Sequence, residues 1–461
     1  MSKTIRKNDI IQLEISDLAF GGKGVAKLNG FVVLIAGGIP GDLVKAKIKG
    51  KKTSYAQGEV VKIIRRSPLR VDPRCSHFDE CGGCTWQNLK YEAQLKYKAN
   101  QVKNSLIHIG GFKDFPIKDA LGSNEIFFYR NKMEFSFDKD SSKNVILGLH
   151  KRGRFDQIFD LNECFLESSE SNQIVDFVRL FAQRKKLIPY DIKQHTGFLR
   201  FLTIREGKNT NEAMVNLVTN AGDFKEGEEF ASLLIKNFPS VKSVVRTINS
   251  KLANIAIGEE EKLLAGKKTI IEKLKDFCFE ISASSFFQTN TNQAQRLYDL
   301  IYELADLDGS EVVLDLYSGT GTISIWLARH VKKMIGIESL SESVADAQRN
   351  AFLNDISNCQ FIQGEVKKVL SDFVTENKIP DVMILDPPRA GLHPQVVKSL
   401  IKMKVPKIVY VSCNPATQAR DLKLLCEDIY NLDQVHPVDM FPHTYHIESV
   451  VKLSMKKWGR P

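Results

Sequence analysis

Short runs in which apolar and polar residues alternate, separated by glycine turns, occupy the first 66 positions of the chain. Alternation of this kind is typical of half-buried β-strands, and the glycine turns at 21–24 and 37–41 mark where such strands reverse. Short strands joined in this way predict a small OB-like β-barrel over residues 1–66. The strand-like runs cover residues 11–15, 31–35, 44–48 and 59–64.

A helical pattern follows the predicted barrel. Apolar residues recur at helical spacing over 88–108, and the lysines of this segment lie mostly on the other face, where we expect solvent around them. Strand-like and short helical segments then alternate between residues 120 and 280. The pattern predicts a central α/β domain over residues 67–280.

Residues 281–461 show a third pattern, in which short apolar runs end in a polar side chain and helical segments follow. The predicted strands deliver Asp315, Glu338, Asp386 and Cys413 to their carboxyl ends. That edge is where open α/β sheets bind ligands. The predicted strands cover residues 311–316, 334–337, 359–362, 382–385 and 408–411, and the predicted helices cover 323–330 and 341–354.

The charge of the chain favours a polyanionic partner. Lysine and arginine number 65 against 55 acidic residues, a net charge of +10, and the pI is near 9.0. Such a balance suits nucleic acid, although a slightly basic protein with no such partner has the same composition. No apolar run of membrane-spanning length occurs, and no secretory signal follows Met1. We therefore expect a cytoplasmic monomer without membrane contact, in which disulfides are rare.

Cysteines cluster near the start of the predicted central domain. Cys75, Cys81 and Cys84 follow one another closely, and Gly82-Gly83 allows a tight turn between the last two. Cys164 is the one further cysteine before residue 278. A zinc ribbon normally carries two CxxC knuckles and this segment has one, so the spacing favours an iron–sulfur cluster over zinc. Zinc and unliganded thiols remain the alternatives.

A glycine turn follows the strand over 311–316. Gly319 and Gly321 allow a ligand to approach the backbone closely, but Ser324 occupies the third position of a dinucleotide fingerprint. Glu338 ends the next strand, 23 residues after Asp315, where a carboxylate can accept the hydroxyls of a ribose. This arrangement resembles that of S-adenosylmethionine-dependent methyltransferases of the Rossmann-like class I type.

Two further motifs indicate which atom is methylated. In methyltransferases that act on amino groups, an aromatic residue follows a similar Asp-Pro-Pro motif, whereas here Arg389 follows Asp386. That difference leaves room for chemistry on a ring carbon. C5 of a pyrimidine becomes nucleophilic when a thiolate adds to C6, and a base must then remove the C5 proton. Cys413 supplies a thiol, and Glu448 lies in a strand-like run, 447–453, that we expect beside the Cys413 strand.

Taken together, these motifs resemble the RNA (uracil-5-)-methyltransferase family over nearly the whole chain. The resemblance implies an N-terminal RNA-binding TRAM domain, a central α/β domain with a [4Fe–4S] cluster, and a C-terminal Rossmann-like methyltransferase domain over 281–461. It is closest to the branch that acts on large-subunit ribosomal RNA. The implied roles are nucleophile for Cys413 and base for Glu448, cofactor binding for Gln288, Tyr317, Gly319, Glu338 and Asp386, and cluster ligation for Cys75, Cys81, Cys84 and Cys164.

The expected reaction is methyl transfer from S-adenosylmethionine to C5 of a uridine in 23S ribosomal RNA through a covalent Cys–C6 adduct. The same reaction on transfer RNA, methylation of cytosine at C5, and a non-catalytic role in RNA binding or ribosome assembly are the alternatives. A binding module needs neither Cys413 nor Glu448, so their joint presence favours the enzyme.

Overall fold

Three large sheets succeed one another along the chain in the computed structural model, which describes residues 5–456, and a two-stranded sheet lies between the second and the third in chain order. Positions 1–4 and 457–461, which include the N-terminus examined for a secretory signal and the ends of the first and last predicted domains, lie outside the described residues. Within the described part, no helix combines the length and the apolar character needed to cross a membrane.

The first sheet contains six strands in the order β1-β5-β6-β4-β3-β2, and neighbours are antiparallel except for β4 and β6. Alternate side chains point inward, so that Leu13, Val33, Val44 and Ile48 form its buried core. The four predicted strands are present, with slightly different ends. The strands are β1 (Ile10–Glu14), β2 (Asp17–Leu18), β3 (Gly24–Leu28), β4 (Phe31–Ala36), β5 (Leu43–Lys51) and β6 (Tyr55–Arg65).

Helix α1 (Tyr91–Ser105) connects the first sheet to the rest of the molecule. It begins later than the 88–108 pattern predicts, because Asn88 lies in a turn and the amide of Lys90 donates to the carbonyl of Leu69. A single π-helical turn, Leu106–Gly110, follows it. Leu18 and Ile39 of the barrel pack in one cluster with Trp86, Leu89 and Ala93.

The second sheet contains seven strands in the order β13-β12-β11-β10-β7-β8-β9, of which only β11 and β12 pair in parallel. Two helices cover it, and a hairpin leads out of it towards the last sheet. The elements are β7 (Lys132–Lys139), β8 (Val145–Lys151), β9 (Arg154–Asp160), α2 (Ser169–Arg184), β10 (Leu199–Gly207), β11 (Glu212–Thr219), α3 (Gly227–Asn237), β12 (Val241–Ile248), β13 (Glu260–Gly266), β14 (Ile270–Leu274) and β15 (Phe277–Ile281).

The third sheet has the order β18-β17-β16-β19-β20-β22-β21, with β22 antiparallel to both of its neighbours. Helices cover both faces, which explains why β19 is apolar throughout and fully buried. The elements are α4 (Thr291–Ala305), β16 (Val312–Leu316), α5 (Thr322–Ala328), β17 (Lys333–Glu338), α6 (Ser341–Leu353), β18 (Cys359–Gln363), α7 (Val366–Thr375), β19 (Val382–Leu385), α8 (Pro394–Met403), β20 (Lys407–Ser412), α9 (Pro415–Cys426), β21 (Tyr430–Val438) and β22 (Glu448–Met455).

The strand order changes direction at β16: β17 and β18 follow on one side of it, and β19 and β20 lie on the other, with β16 and β19 parallel. In open α/β sheets, ligands bind outside the carboxyl ends of the strands at such a switch point. The sequence-predicted parallel strands are all present, and their carboxyl ends define this edge.

Candidate functional site

Cys413 lies in the turn between β20 and α9, at the carboxyl edge of the third sheet. Asn414 caps α9, because its side-chain oxygen accepts a hydrogen bond from the amide of Ala416 at 3.1 Å. Its side-chain amide donates to the carbonyl of Arg389 at 3.0 Å, which ties the cysteine turn to the turn after β19. The strand end and the helix cap together hold the half-buried Cys413 thiol at the edge.

Glu448 opens β22, which runs antiparallel to β20. Ser412 pairs with Ser449 in that ladder, so the register carried one residue further sets Glu448 across from Cys413. Pairing of these two strands confirms the sequence prediction that the 447–453 run lies beside the cysteine strand. Glu448 is buried, only 6 % exposed.

Two carboxylic acids and one guanidinium control the charge around the thiol. Burial raises the pKa of Cys413 to about 11, and the Glu448 and Asp386 carboxylates act in the same direction. Burial and Asp386 raise the pKa of Glu448 to about 8, and burial raises the pKa of Asp386 to about 7. The Arg389 guanidinium opposes the rise of pKa for both Cys413 and Glu448. Arg389 is therefore a functional candidate, and its position after Asp-Pro-Pro is the signal that identifies it.

The glycine turn lies beside these groups, after β16. Tyr317, Gly319 and Gly321 all have left-handed backbone with φ of 66°, 53° and 79°. This conformation costs energy for tyrosine and none for glycine. Glu338, at the end of β17, accepts a hydrogen bond from the amide of Gly319 at 3.1 Å and so closes the turn.

Of the remaining predicted cofactor residues, Asp386 lies at the same edge, and Gln288 contacts the central region. Asp386 follows β19, and its amide donates to the carbonyl of Leu316 at the end of β16. Gln288 precedes α4, where its carbonyl accepts a hydrogen bond from the Asn131 side chain of the central region. A carboxylate at the end of one strand can accept hydrogen bonds from the hydroxyls of a ribose, and the neighbouring glycine turn lets a nucleoside approach the backbone closely.

Asp315 is a further buried acid beneath the glycine turn. Its side chain is fully buried and accepts a hydrogen bond from the Ser324 hydroxyl at 2.6 Å. Burial raises its pKa to about 7. Ser324, which breaks the dinucleotide fingerprint, therefore holds the strand to the helix that follows.

The four predicted ligand cysteines line one cavity of about 760 Å³ between the central sheet and the preceding loop. Cys75, Cys81 and Cys84 come from the loop, and Cys164 approaches after β9. Burial raises the pKa of every one of these thiols, and the charges of neighbouring cysteines add to the rise for Cys75, Cys84 and Cys164.

Among residues 5–456, no three His, Cys, Asp or Glu side chains form a group that could hold a metal ion. The four cysteines share the lining of one cavity, and four thiolates are the usual ligand set of an iron–sulfur cluster. The [4Fe–4S] cluster therefore stays a prediction.

Comparisons with known proteins show the family to which the chain belongs. Residues 90–456 match the family model described as tRNA (Uracil-5-)-methyltransferase, and residues 6–61 match the TRAM domain. The chain therefore belongs to the uracil-5-methyltransferase family of RNA-modifying enzymes, and it is an S-adenosylmethionine-dependent RNA methyltransferase with an N-terminal TRAM domain.

Relatives that match this chain over nearly its whole length are also named RNA methyltransferases. An uncharacterized RNA methyltransferase of Halalkalibacterium halodurans is 39 % identical over 452 residues, covering 98 % of both chains. Another, of Porphyromonas gingivalis, is 40 % identical over 462 residues, covering 96 % of this chain and 99 % of its own. The structure of Pyrococcus abyssi tRNA (uracil-54, C5)-methyltransferase in complex with S-adenosyl-L-homocysteine superposes with a TM-score of 0.78. It is 33 % identical and covers 96 % of this chain and 100 % of its own.

Proposed function

We propose that this enzyme methylates C5 of a uridine in 23S ribosomal RNA, with Cys413 as nucleophile and Glu448 as base. The observation that carries the proposal is the β20–β22 register, which sets a buried carboxyl group across from a thiol at the ligand-binding edge. A thiol alone is compatible with a packing role. A thiol paired with a buried acid of raised pKa is the arrangement that covalent addition followed by proton removal requires.

In the proposed mechanism, the Cys413 thiolate bonds to C6 of the uracil, and the C5=C6 electron pair moves towards C5 and O4. S-adenosylmethionine supplies the methyl group to C5 when it is bound. Glu448 then takes the proton from C5, the C5=C6 bond re-forms, and the Cys413 sulfur leaves with its electron pair. Gln288, Tyr317, Gly319, Glu338 and Asp386 are the proposed cofactor contacts.

The test uses labelled S-adenosylmethionine with unmodified 23S ribosomal RNA and, in parallel, unmodified transfer RNA, followed by nucleoside analysis. We expect 5-methyluridine in the ribosomal RNA. Transfer RNA is the second candidate substrate, because the Pyrococcus abyssi protein of similar structure acts on it. 5-Methylcytidine as the product would contradict uracil as the methylated nucleobase. Unchanged methyl transfer by Cys413→Ala would contradict Cys413 as the nucleophile.

We also propose that Cys75, Cys81, Cys84 and Cys164 hold a [4Fe–4S] cluster, which ties the cysteine loop to the central sheet. The convergence of all four thiols on one cavity supports this assignment. Protein purified without oxygen is expected to be brown and to contain about four irons per chain. Stoichiometric zinc in a colourless protein would contradict it. The proposed domain boundaries are 1–66, 67–280 and 281–461.

A further inference from the structure

Nine residues between β21 and β22, 439–447, lead the chain to Glu448, and we call them the approach loop. Its first residue, Asp439, is fully buried. The Asp439 carboxylate accepts hydrogen bonds from the Lys98 ammonium at 2.6 Å, from the Tyr91 hydroxyl at 3.0 Å and from the amide of Phe441 at 3.1 Å. Two of these donors belong to α1, which precedes the central sheet in the chain.

Lys98 is the centre of this contact. Its side chain is 0 % exposed, as is that of Asp439. The ammonium also donates to the carbonyl of Phe441 at 3.0 Å and lies 6.0 Å from the Trp86 ring. The prediction that the lysines of this helix are solvated is therefore wrong for Lys98, because that face of α1 packs against the approach loop instead of solvent.

The rest of the approach loop is held from the same side. The Gln94 side chain accepts from the amide of His443 at 2.9 Å, and the carbonyl of His443 accepts from the amides of Thr85 and Trp86 at 2.7 and 2.9 Å. The Tyr129 hydroxyl donates to the carbonyl of Pro442 at 3.0 Å. The backbone that carries Glu448 is thus fixed by groups from outside the methyltransferase sheet.

A buried ion pair is a poor device for stability alone. Removing two charges from water costs several kcal/mol, and replacement of such a pair by apolar residues of similar size is often neutral or stabilising. Such a pair instead fixes the positions of the segments that carry it, because each buried charge is stabilised only while its partner stays within hydrogen-bond distance. Here the pair joins residues 341 positions apart and acts at the start of the loop that ends at Glu448.

We propose that Lys98 and Asp439 are positioning residues, which hold the approach loop so that the Glu448 carboxylate stays across from Cys413. The inference rests on the proposed roles of those two residues. Without the pair, addition of Cys413 and methyl transfer still occur, but removal of the C5 proton becomes slow. The methylated covalent adduct then accumulates, and proton removal limits turnover.

The test compares the wild-type enzyme with the double variant Lys98→Met/Asp439→Leu, which removes both charges and leaves neither buried alone. Turnover of RNA substrate carrying protium or deuterium at C5 of uridine gives the isotope effect, and denaturing gels give the adduct. We expect turnover to fall roughly 10- to 100-fold, as for a misplaced catalytic group. We also expect a larger isotope effect and more adduct than in the wild-type enzyme.

Arg70→Met/Asp42→Leu is the matched control, because it also removes both members of a buried ion pair. Arg70, in the segment after the barrel, pairs with the fully buried Asp42 of the barrel at 2.7 Å, and this pair does not include a residue of the approach loop. The control is expected to lower the melting temperature without changing the isotope effect or the adduct.

Two outcomes would overturn the inference, and they are distinguishable. In the first outcome, the double variant has the same isotope effect and the same amount of adduct as the wild-type enzyme, while Glu448→Gln traps adduct. This result overturns the positioning role alone. A Glu448→Gln variant that turns over normally overturns the proposed base and the positioning role with it.

Discussion

At the scale of single residues, the main feature is that the two groups that the proposed mechanism uses as anions both have raised pKa values. Burial raises the pKa of the Cys413 thiol to about 11 and of the Glu448 carboxyl to about 8. The Glu448 carboxylate contributes to the rise for Cys413. Arg389 is the cation that opposes both effects, and it approaches from the turn after β19, which is hydrogen-bonded to the cysteine turn.

We therefore expect kcat/KM to rise with pH between 6 and 9. The thiolate and the carboxylate are the active forms, both free-enzyme pKa values are raised, and deprotonation is the step that an increase in pH favours. Arg389→Met removes the nearby positive charge, so the rise of kcat/KM with pH should occur at higher pH in this variant than in the wild-type enzyme. Arg389→Lys, which keeps the charge, is the control. A profile for Arg389→Met that coincides with that of the wild type would contradict this role.

At the scale of secondary structure elements, helix α9 and its cap position Cys413, the proposed nucleophile. Asn414 performs two tasks with one side chain: its oxygen caps α9, and its amide nitrogen bonds the Arg389 carbonyl. Pro415 follows at the first helical position, where its missing donor costs nothing.

Substitutions at Asn414 should separate these two tasks. Asn414→Ala loses both, and we expect it to lower the free energy of unfolding by about 1 kcal/mol and to reduce activity. Asn414→Asp keeps the cap but cannot donate to Arg389, so stability should stay near that of the wild type while activity falls. Thermal melts and initial rates measure the two effects.

Ser168→Ala provides the control for the loss of a cap. Ser168 caps α2 in the central region, where its hydroxyl accepts from the amide of Ser171 at 3.0 Å. We expect this variant to have a lower free energy of unfolding but an unchanged turnover rate kcat. Equal activity of Asn414→Asp and wild type would contradict the second task of Asn414.

At the scale of the whole molecule, the TRAM barrel and the net charge of +10 bear on RNA binding. Lys45 and Lys62 are exposed and stand directly opposite each other on β5 and β6. Like charges opposed in this way destabilise a sheet. A phosphate between or beside them relieves that repulsion, which makes this face a candidate for RNA backbone contact.

We expect Lys45→Ala/Lys62→Ala to weaken RNA binding and to reduce the salt dependence. Each lost phosphate contact to single-stranded RNA lowers the slope of log K against log salt by about 0.7, so two contacts lower it by about 1.4. Lys49→Ala is the control, because Lys49 already pairs with Glu59 at 2.6 Å. Equal slopes for the double variant and the control would show that this face does not bind the backbone.

The sequence by itself determined the edge of the third sheet. The apolar runs that stop at Glu338, Asp386 and Cys413 predict buried parallel strands. Parallel strands bring their carboxyl ends to one edge of the sheet. The run that begins near Glu448 was also predictable as the neighbour of the cysteine strand, and the ladder between β20 and β22 confirms it.

Only the tertiary structure decided which polar residues are buried. The periodicity of α1 indicates an apolar stripe, but Gln94 and Lys98 are buried beside it, because the approach loop offers them hydrogen-bond partners. Gln101 is buried too, and its side-chain amide donates to the carbonyl of Ala19 at 3.5 Å. Spacing along the chain also cannot show that Cys164 reaches the cavity of Cys84, 80 positions earlier. Apolar burial follows local periodicity, whereas burial of a charged or polar group depends on a partner that the fold brings from elsewhere.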